Sequence, residues 1–298
     1  MKFIQSLFVF LKGMAMGAAD VVPGVSGGTI AFISGIYDPL IKSISAFDIT
    51  LIRLIRKEGF LSAWRAVNGS FLAVLFAGIA LSIISLAAAI SRLLDTQPIA
   101  MWSFFLGLIL ASILLVGKQI RTDSWIKTLL FFSLGLVTAL TISFLNPMNT
   151  SDSLLFYFFS GALAICAMIL PGISGSFILV LLGSYQAILD AVNDRNLLLL
   201  GTVALGAVIG LLSFSKLLKW LFSNYKNLTL SVLVGFIAGS IPKVWPWKNS
   251  SSSTTLYLPR FDVATDEITK GILFGLLGFL LVVILEFVGE KVKKLTPP

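Results

Sequence analysis

Two short motifs hold the residues whose types and spacing could do chemistry. Residues 22–29 read VPGVSGGT and residues 170–176 read LPGISGS, and each motif lies inside an otherwise apolar stretch. Proline lacks an amide donor and disfavours helix in the residue before it, while glycine tolerates positive φ, so we expect each Pro-Gly pair to break a helix. In hydrocarbon each unpaired backbone group costs several kcal/mol, so the freed groups must meet protein, water or a ligand.

The serine and glycines after each break favour an anion site. Ser26 and Ser174 are suited to cap the following helix, whose first amides lie at the positive end of the helix dipole. A phosphate fits such a helix end well. The alternative is that the small residues only let kinked helices pack closely. The predicted contacts of the anion are Pro23, Gly24, Ser26, Gly27, Gly28, Thr29, Pro171, Gly172, Ser174, Gly175 and Ser176.

Two charged side chains precede the first break. Asp20 lies three residues before Pro23, and ionisable side chains inside a membrane usually face the interior and serve a function. Its counterpart in the second stretch is Met168, and this asymmetry favours a coupling role in which Asp20 takes up a proton or holds a cation. Alternatively, Asp20 caps the broken leg or pairs with Lys12. Lys12 either contacts the phosphate or extends to the membrane surface.

The composition excludes several classes of site. The 298-residue chain is 57% hydrophobic and 12% charged, whereas a soluble domain carries about 25% charged residues. With a single cysteine and no histidine, one chain offers neither a disulfide nor a Cys/His zinc site nor a histidine base, and we predict no metal and no cofactor. A serine nucleophile would need Lys12 as its base, which disfavours hydrolysis.

Charge-free segments of spanning length alternate with the two interrupted stretches, which predicts an all-α polytopic membrane protein. Each interrupted stretch, 3–41 and 153–189, is expected to form a re-entrant hairpin whose two legs enter, break and return on one side. Tyr37 and Tyr185 are expected at the interface as aromatic anchors. The predicted transmembrane helices cover residues 71–91, 98–117, 128–145, 197–215, 228–242 and 271–285.

The basic residues predict the orientation and account for the net charge of +8 without nucleic acid. When the amino terminus is placed in the cytoplasm, all but six of the 22 lysines and arginines fall inside, as the positive-inside rule requires. We therefore expect a multi-pass plasma-membrane protein. The six outside are Arg92, Arg195, Lys243, Lys248, Arg260 and Lys270.

The two interrupted stretches align without a gap at an offset of 148 residues. Each half then holds one hairpin and three crossings, so the second half must lie upside down relative to the first. Inverted repeats with interrupted helices are typical of secondary transporters, whose sites lie where the breaks meet. The predicted repeats are residues 1–147 and 148–298. The offset aligns Gly13 with Gly161, Pro23 with Pro171, Gly24 with Gly172, Ser26 with Ser174, Gly27 with Gly175, Gly35 with Gly183 and Tyr37 with Tyr185.

Residues 12–41, KGMAMGAADVVPGVSGGTIAFISGIYDPLI, closely resemble the signature of a bacterial and archaeal membrane family once known only as a domain of unknown function. Its members are regarded as polyprenyl-phosphate transporters, the undecaprenyl-phosphate translocases of the PopT type. The resemblance implies a flippase that returns the lipid carrier from the outer to the cytoplasmic leaflet. The family motif falls on Gly17, Asp20, Pro23, Gly24, Ser26, Gly27, Gly28 and Thr29.

Two other functions are compatible with an anion site. A lipid-phosphate phosphatase or glycosyl-phosphate transferase would usually need histidine or clustered acids with a metal, and the acids of this chain are scattered. These residues hardly distinguish a carrier of a small soluble anion from a flippase. The oligomeric state and the coupling ion are left open.

Overall fold

The computed structural model describes residues 3–21, 25–121, 124–145, 147, 153–247 and 265–295. Within these ranges the elements of regular structure are helices. Those before residue 147 are α1 Phe3–Val21, α2 Gly27–Ile33, α3 Tyr37–Ser45, α4 Ile49–Glu58, α5 Phe60–Ala66, α6 Gly69–Thr96, α7 Pro98–Gly117 and α8 Trp125–Phe144. Those after it are α9 Leu154–Ile169, α10 Gly175–Leu181, α11 Tyr185–Asn193, α12 Leu197–Asn224, α13 Lys226–Gly239, α14 Ile241–Val244 and α15 Thr265–Leu295.

The described part of the chain is a multi-pass helical membrane protein. Seven stretches are long and apolar enough to cross a bilayer, namely α1, α6, α7, α8, α12, α15 and the run formed by α13 and α14. All six segments predicted as transmembrane helices match these stretches, and only 128–145 runs one residue beyond its helix. Two predicted spans were clearly too short, since α6 and α12 each extend to 28 residues. Long polar side chains can reach the membrane surface while their helix continues.

The interrupted stretches each contain three helices rather than two legs. In the first, α1 is followed by α2 and α3, and Gly35 lies between the short helices with φ +72°. In the second, α9 is followed by α10 and α11, which are bent by 105° across a turn containing Gly183 at φ +71°. Positive φ suits glycine. The single returning leg that we expected is therefore wrong, because each return is divided at a glycine.

Four helix pairs make the most extensive contacts and position the two breaks. Helix α1 packs along α6 and α9 along α12, while α7 packs along α15 and α8 along α13. Glycines let the backbones approach closely in every pair. For example, a Cβ at Gly78 of α6 or at Gly206 of α12 would collide with a backbone carbonyl of the partner helix. Small residues at such contacts are the usual basis of helix packing in membranes.

Helix α3 packs against α12. The ring of Tyr37 lies between Phe32 and Phe222, with centroid distances of 5.1 and 5.9 Å, and Tyr37 is only 3% exposed. The prediction that Tyr37 is an interfacial anchor is therefore wrong. Its counterpart Tyr185 is 39% exposed, so the two halves differ here.

Candidate functional site

The first break is capped by its own side chains. Ser26 is the N-cap residue of α2, and its Oγ accepts a hydrogen bond from the Gly28 amide at 3.1 Å. The Gly27 amide donates to Oδ1 of Asp20 at 2.7 Å, and the Thr29 amide donates to the Ser26 carbonyl at 2.9 Å. The capping role predicted for Ser26 is confirmed. The first three amides of α2 each have an acceptor within the protein.

Asp20 lies beside the start of α2. A Cβ at Gly27 would collide with the Asp20 carboxylate where it now lies, so glycine leaves room for this contact. The capping alternative for Asp20 is therefore the one that the structure supports in this conformation. A carboxylate at the positive end of a helix is favourable, and it occupies the position that an anionic ligand of α2 would take.

The second break is built differently. Ser174 is the N-cap residue of α10 by position, but among the described residues no side chain caps the first turn of that helix. Its Oγ pairs instead with Oγ of Ser176 at 2.8 Å, so the predicted capping by Ser174 is wrong. Gly172 makes the turn with φ +90°, and Met168 stands at the position equivalent to Asp20.

The two breaks touch each other directly. The Gly172 amide donates to Oγ1 of Thr29 at 2.9 Å. Ser26 Oγ donates towards the carbonyl oxygens of Met168 and Leu170, at 3.3 and 3.4 Å. Ser26 and Thr29 are 1% and 3% exposed. A Cβ at Gly28 would lie 2.8 Å from carbonyl oxygens of the second stretch, so the contact is closely packed.

The remaining predicted contacts of the anion are not all brought to this junction. Pro171 and Gly175 are buried beside it, whereas Ser176 is exposed. Pro23 and Gly24 lie outside the described residues. Lys12 is not brought to the junction, because its Nζ donates to the Ser34 carbonyl at 2.6 Å. Ser34 is the C-cap of α2, about 12 Å along that helix from Ser26 at 1.5 Å per residue.

Sequence reasoning missed the parts of the site that are backbone or that come from other helices. The carbonyl acceptors of Met168 and Leu170 have no side-chain signature. A Cβ at Gly172 would lie 2.7 Å from the carbonyl oxygen of Phe236, so α13 closes the far side of the second turn. Lys243, which we expected only as an outside basic residue, lies 3.8 Å over the ring of Phe177 in α10.

The chemistry available at the junction is hydrogen bonding rather than nucleophilic attack. Ser26 Oγ donates to main-chain carbonyls, and Lys12, the base that hydrolysis would require, lies at the opposite end of α2. In the described ranges, no group of three Asp, Glu, Cys or His side chains could hold a metal ion. The site offers backbone amides, hydroxyl groups and one carboxylate, and these suit an oxyanion and a proton or cation.

Comparison with known proteins gives two curated relatives over most of the chain. A polyprenyl-phosphate transporter of Vibrio cholerae is 49% identical over 251 residues, covering 84% of this chain and 81% of the relative. A polyprenyl-phosphate transporter of Staphylococcus aureus is 33% identical over 253 residues, covering 79% of this chain and 85% of the relative. No solved structure matches the chain significantly.

The family comparison agrees with these relatives. The matching family model is described as VCA0040-like, undecaprenyl phosphate translocase-like, and it covers residues 16–257. That range includes both breaks and the helices α2 to α14. The chain therefore belongs to the undecaprenyl phosphate translocase-like family.

Proposed function

We propose that this protein is a flippase that carries polyprenyl phosphate, with undecaprenyl phosphate as the principal substrate, across the plasma membrane. It returns the lipid carrier from the outer to the cytoplasmic leaflet for reuse in envelope polymer synthesis. Family membership and the names of two curated relatives support the substrate. The structural observation that carries the proposal is the direct contact between two broken helices, made by Ser26, Thr29 and Gly172.

The two halves, 1–147 and 148–298, are proposed to be inverted repeats. The pairing of α1 with α6 corresponds to that of α9 with α12, and the pairing of α7 with α15 corresponds to that of α13 with α8. Helices α6 and α12 have the same length of 28 residues. In many alternating-access transporters, two such halves are related by a two-fold axis in the membrane plane.

The phosphate is proposed to bind between the breaks when the two turns part. In the observed arrangement a Cβ at Gly28 would already collide with carbonyl oxygens of the second stretch, so a headgroup requires separation. Separation removes the partners of Thr29 Oγ1, Ser26 Oγ and the Gly172 amide together. These freed donors, with the uncapped first turn of α10 that includes Gly175 and Ser176, then bind the phosphate oxygens.

Asp20 is proposed to couple this step to a proton or a cation. While it is ionised, its carboxylate holds the Gly27 amide and repels a phosphate from the start of α2. Protonation, or neutralisation by a cation, weakens this charge-assisted hydrogen bond and lets the phosphate approach. Lys12, at the other end of α2, would contact the headgroup after it has left the junction.

The orientation and the path of the lipid tail follow from the same architecture. The amino terminus is proposed to be cytoplasmic, which the distribution of lysine and arginine supports. The polyprenyl tail is apolar and remains in the bilayer, so the junction must open sideways between helices while the phosphate crosses.

The test is reconstitution in liposomes with leaflet-selective detection of polyprenyl phosphate. Replacing Ser26 and Ser174 together with leucine is expected to reduce translocation at least tenfold. Ser85→Leu with Ser213→Leu is the matched control, because these serines are exposed on α6 and α12. Unchanged translocation by the first double variant, in a form that remains monodisperse in detergent, would overturn the assignment of the site. Release of inorganic phosphate would instead identify an enzyme.

A further inference from the structure

Helices α4 and α5 form a basic amphipathic pair that the second half lacks. They lie between α3 and the membrane-spanning α6, whereas in the second half α12 begins four residues after the end of α11. No residue of α4 is buried. The pair is therefore an addition to one half, with a surface of its own.

When successive residues of α4 are placed 100° apart around the helix, an apolar side and a basic side can be distinguished. Leu51 and Leu54 are half-buried against the protein, and the neighbouring Ile52 and Ile55 are exposed. The cationic side chains Arg53 and Lys57 lie on the opposite side of the helix, and Arg56 lies at the border beside Ile52.

The position of α5 places the pair at the membrane surface. Trp64 Nε1 donates to Oγ of Ser70 at 3.1 Å, and the Trp64 ring covers Gly69, the first residue of the span α6. Tryptophan is enriched at membrane–water interfaces. Phe60, whose ring centroid lies 5.9 Å from that of Trp64, is exposed, as is Leu61. The apolar side of the pair thus begins at the level where α6 enters the bilayer.

The beginning of α4 lies within electrostatic reach of a second span, α12. Asp48 caps α4 by accepting from the amides of Thr50 and Leu51 at 2.8 and 3.2 Å. The Thr50 side chain and these amides hold the pKa of Asp48 below its ordinary value, and the positive charge of Lys216 contributes to the shift. Lys216 directly follows the charge-free part of α12, so it marks the height at which a second span leaves the hydrocarbon.

We propose that α4 and α5 lie in the plane of the membrane interface and bind the anionic phospholipid headgroups of that leaflet. Ile52, Ile55, Phe60 and Leu61 would enter the acyl region, and the cationic side of α4 would contact the lipid phosphates. An apolar side beside a basic side is the pattern of interfacial helices. Each basic residue near an anionic surface adds about fivefold to binding. The lipid surface is favoured over a protein partner because two spans fix both ends of the pair at bilayer height.

The depth of α4 can be measured without any transported lipid. In a Cys166→Ser background, Ile52→Cys and Lys57→Cys are each labelled with a fluorophore and reconstituted in vesicles with a third phosphatidylglycerol. The label at residue 52 is expected to be quenched by spin-labelled lipid and protected from aqueous iodide, and the label at residue 57, about 140° around the helix, to show the reverse. Equal quenching of both labels by iodide would overturn the interfacial position.

Headgroup selectivity is tested with the label at residue 52. Spin-labelled phosphatidylglycerol is expected to quench it at least threefold more than spin-labelled phosphatidylcholine at equal mole fraction. Replacing Arg53, Arg56 and Lys57 with glutamine should bring the two lipids to parity. The control replaces the same number of exposed cations elsewhere, Lys127, Lys219 and Lys226, and should retain the preference. A preference that survives the α4 triple variant overturns headgroup binding and leaves the proposed transport function untouched.

Discussion

The two breaks share a Pro-Gly-x-Ser-Gly motif, yet they satisfy their backbone groups in different ways. The first uses its own side chains, since Asp20 and Ser26 accept from the amides of Gly27 and Gly28. The second has no such cap, and Gly172 turns the chain at positive φ. Its amide is held by Thr29 of the first break.

This difference makes the second break dependent on the first. If the turns separate, α2 keeps its caps, whereas Gly172 loses its acceptor and the carbonyls of Met168 and Leu170 lose the Ser26 hydroxyl. Unpaired groups in an apolar environment are costly. The second break is thus the one whose polar groups most need a replacement ligand, and its exposed Ser176 lies beside them.

The largest effect is expected from Gly28→Ser, which gives the first break the residue that the second has at Ser176. The new Cβ would lie 2.8 Å from the carbonyl oxygens of Met168 and Ile169, and these backbone atoms cannot move independently. Overpacking of this kind costs about 1–3 kcal/mol. We expect at least a tenfold loss of translocation in liposomes and a lower melting temperature in detergent.

The reverse exchange is the control for this prediction. Ser176→Gly removes an exposed side chain, so it should change the melting temperature little. If the two exchanges had equal effects, the close contact between the breaks would not exist in the functional protein.

The second largest effect is expected at the hydrogen bond that joins the breaks. Thr29→Val keeps the shape of the side chain but leaves the Gly172 amide without its acceptor, which costs about 1–3 kcal/mol. Thr29→Ser retains the hydroxyl and should recover most of this loss. Denaturant unfolding in detergent measures both variants. A valine variant as stable as the serine variant would show that the bond contributes nothing.

Much of this architecture could be predicted from the sequence, because apolar length and the positions of proline and glycine have direct physical consequences. The six charge-free spans are confirmed as candidate spans, and the cap at Ser26 is confirmed. Both follow from local rules: the hydrocarbon thickness sets the span length, and a serine before two glycines can cap a helix.

The failures concern residues whose environment is made by distant parts of the chain. Tyr37 has the sequence context of an interfacial anchor, but α12 covers it with Phe222. Ser174 has the same motif as Ser26, yet its hydroxyl pairs with Ser176, a residue that the first break replaces with glycine. Lys12 is close to the motif in sequence, but its Nζ bonds the Ser34 carbonyl at the far end of α2, and its contact with the phosphate stays a prediction. None of these outcomes has a local signature.

Asp20→Asn is expected to change the stability less, but to remove the coupling of translocation to a proton or cation. The amide oxygen still accepts from Gly27, so only the difference between a charge-assisted and a neutral hydrogen bond is lost, about 1 kcal/mol. The initial rate of translocation should no longer respond to an imposed pH or cation gradient. Asp48→Asn, a change at the cap of α4, is the control and should retain the response. A gradient response that persists in Asp20→Asn would exclude coupling at this residue.

The smallest effects on stability are expected from alanine substitution of Ser26 and Ser174, and these two variants distinguish stability from headgroup binding. Ser26→Ala removes the acceptor of the Gly28 amide, so the free energy of unfolding should fall by about 1 kcal/mol. Ser174→Ala removes only a hydroxyl pair with Ser176, and we expect a loss of about 0.5 kcal/mol or less.

For headgroup binding we expect the opposite order, with Ser174→Ala having the larger effect. If the second break supplies the donors that its uncapped helix leaves available, Ser174→Ala weakens half-saturation by a short-chain polyprenyl phosphate about tenfold or more, the loss expected for one hydrogen bond to a charged group. Ser26→Ala should weaken it less, because α2 retains Asp20 as a cap on Gly27. Equal effects of both variants on both quantities would mean that the breaks are equivalent, and the division into a supporting turn and a binding turn would be wrong.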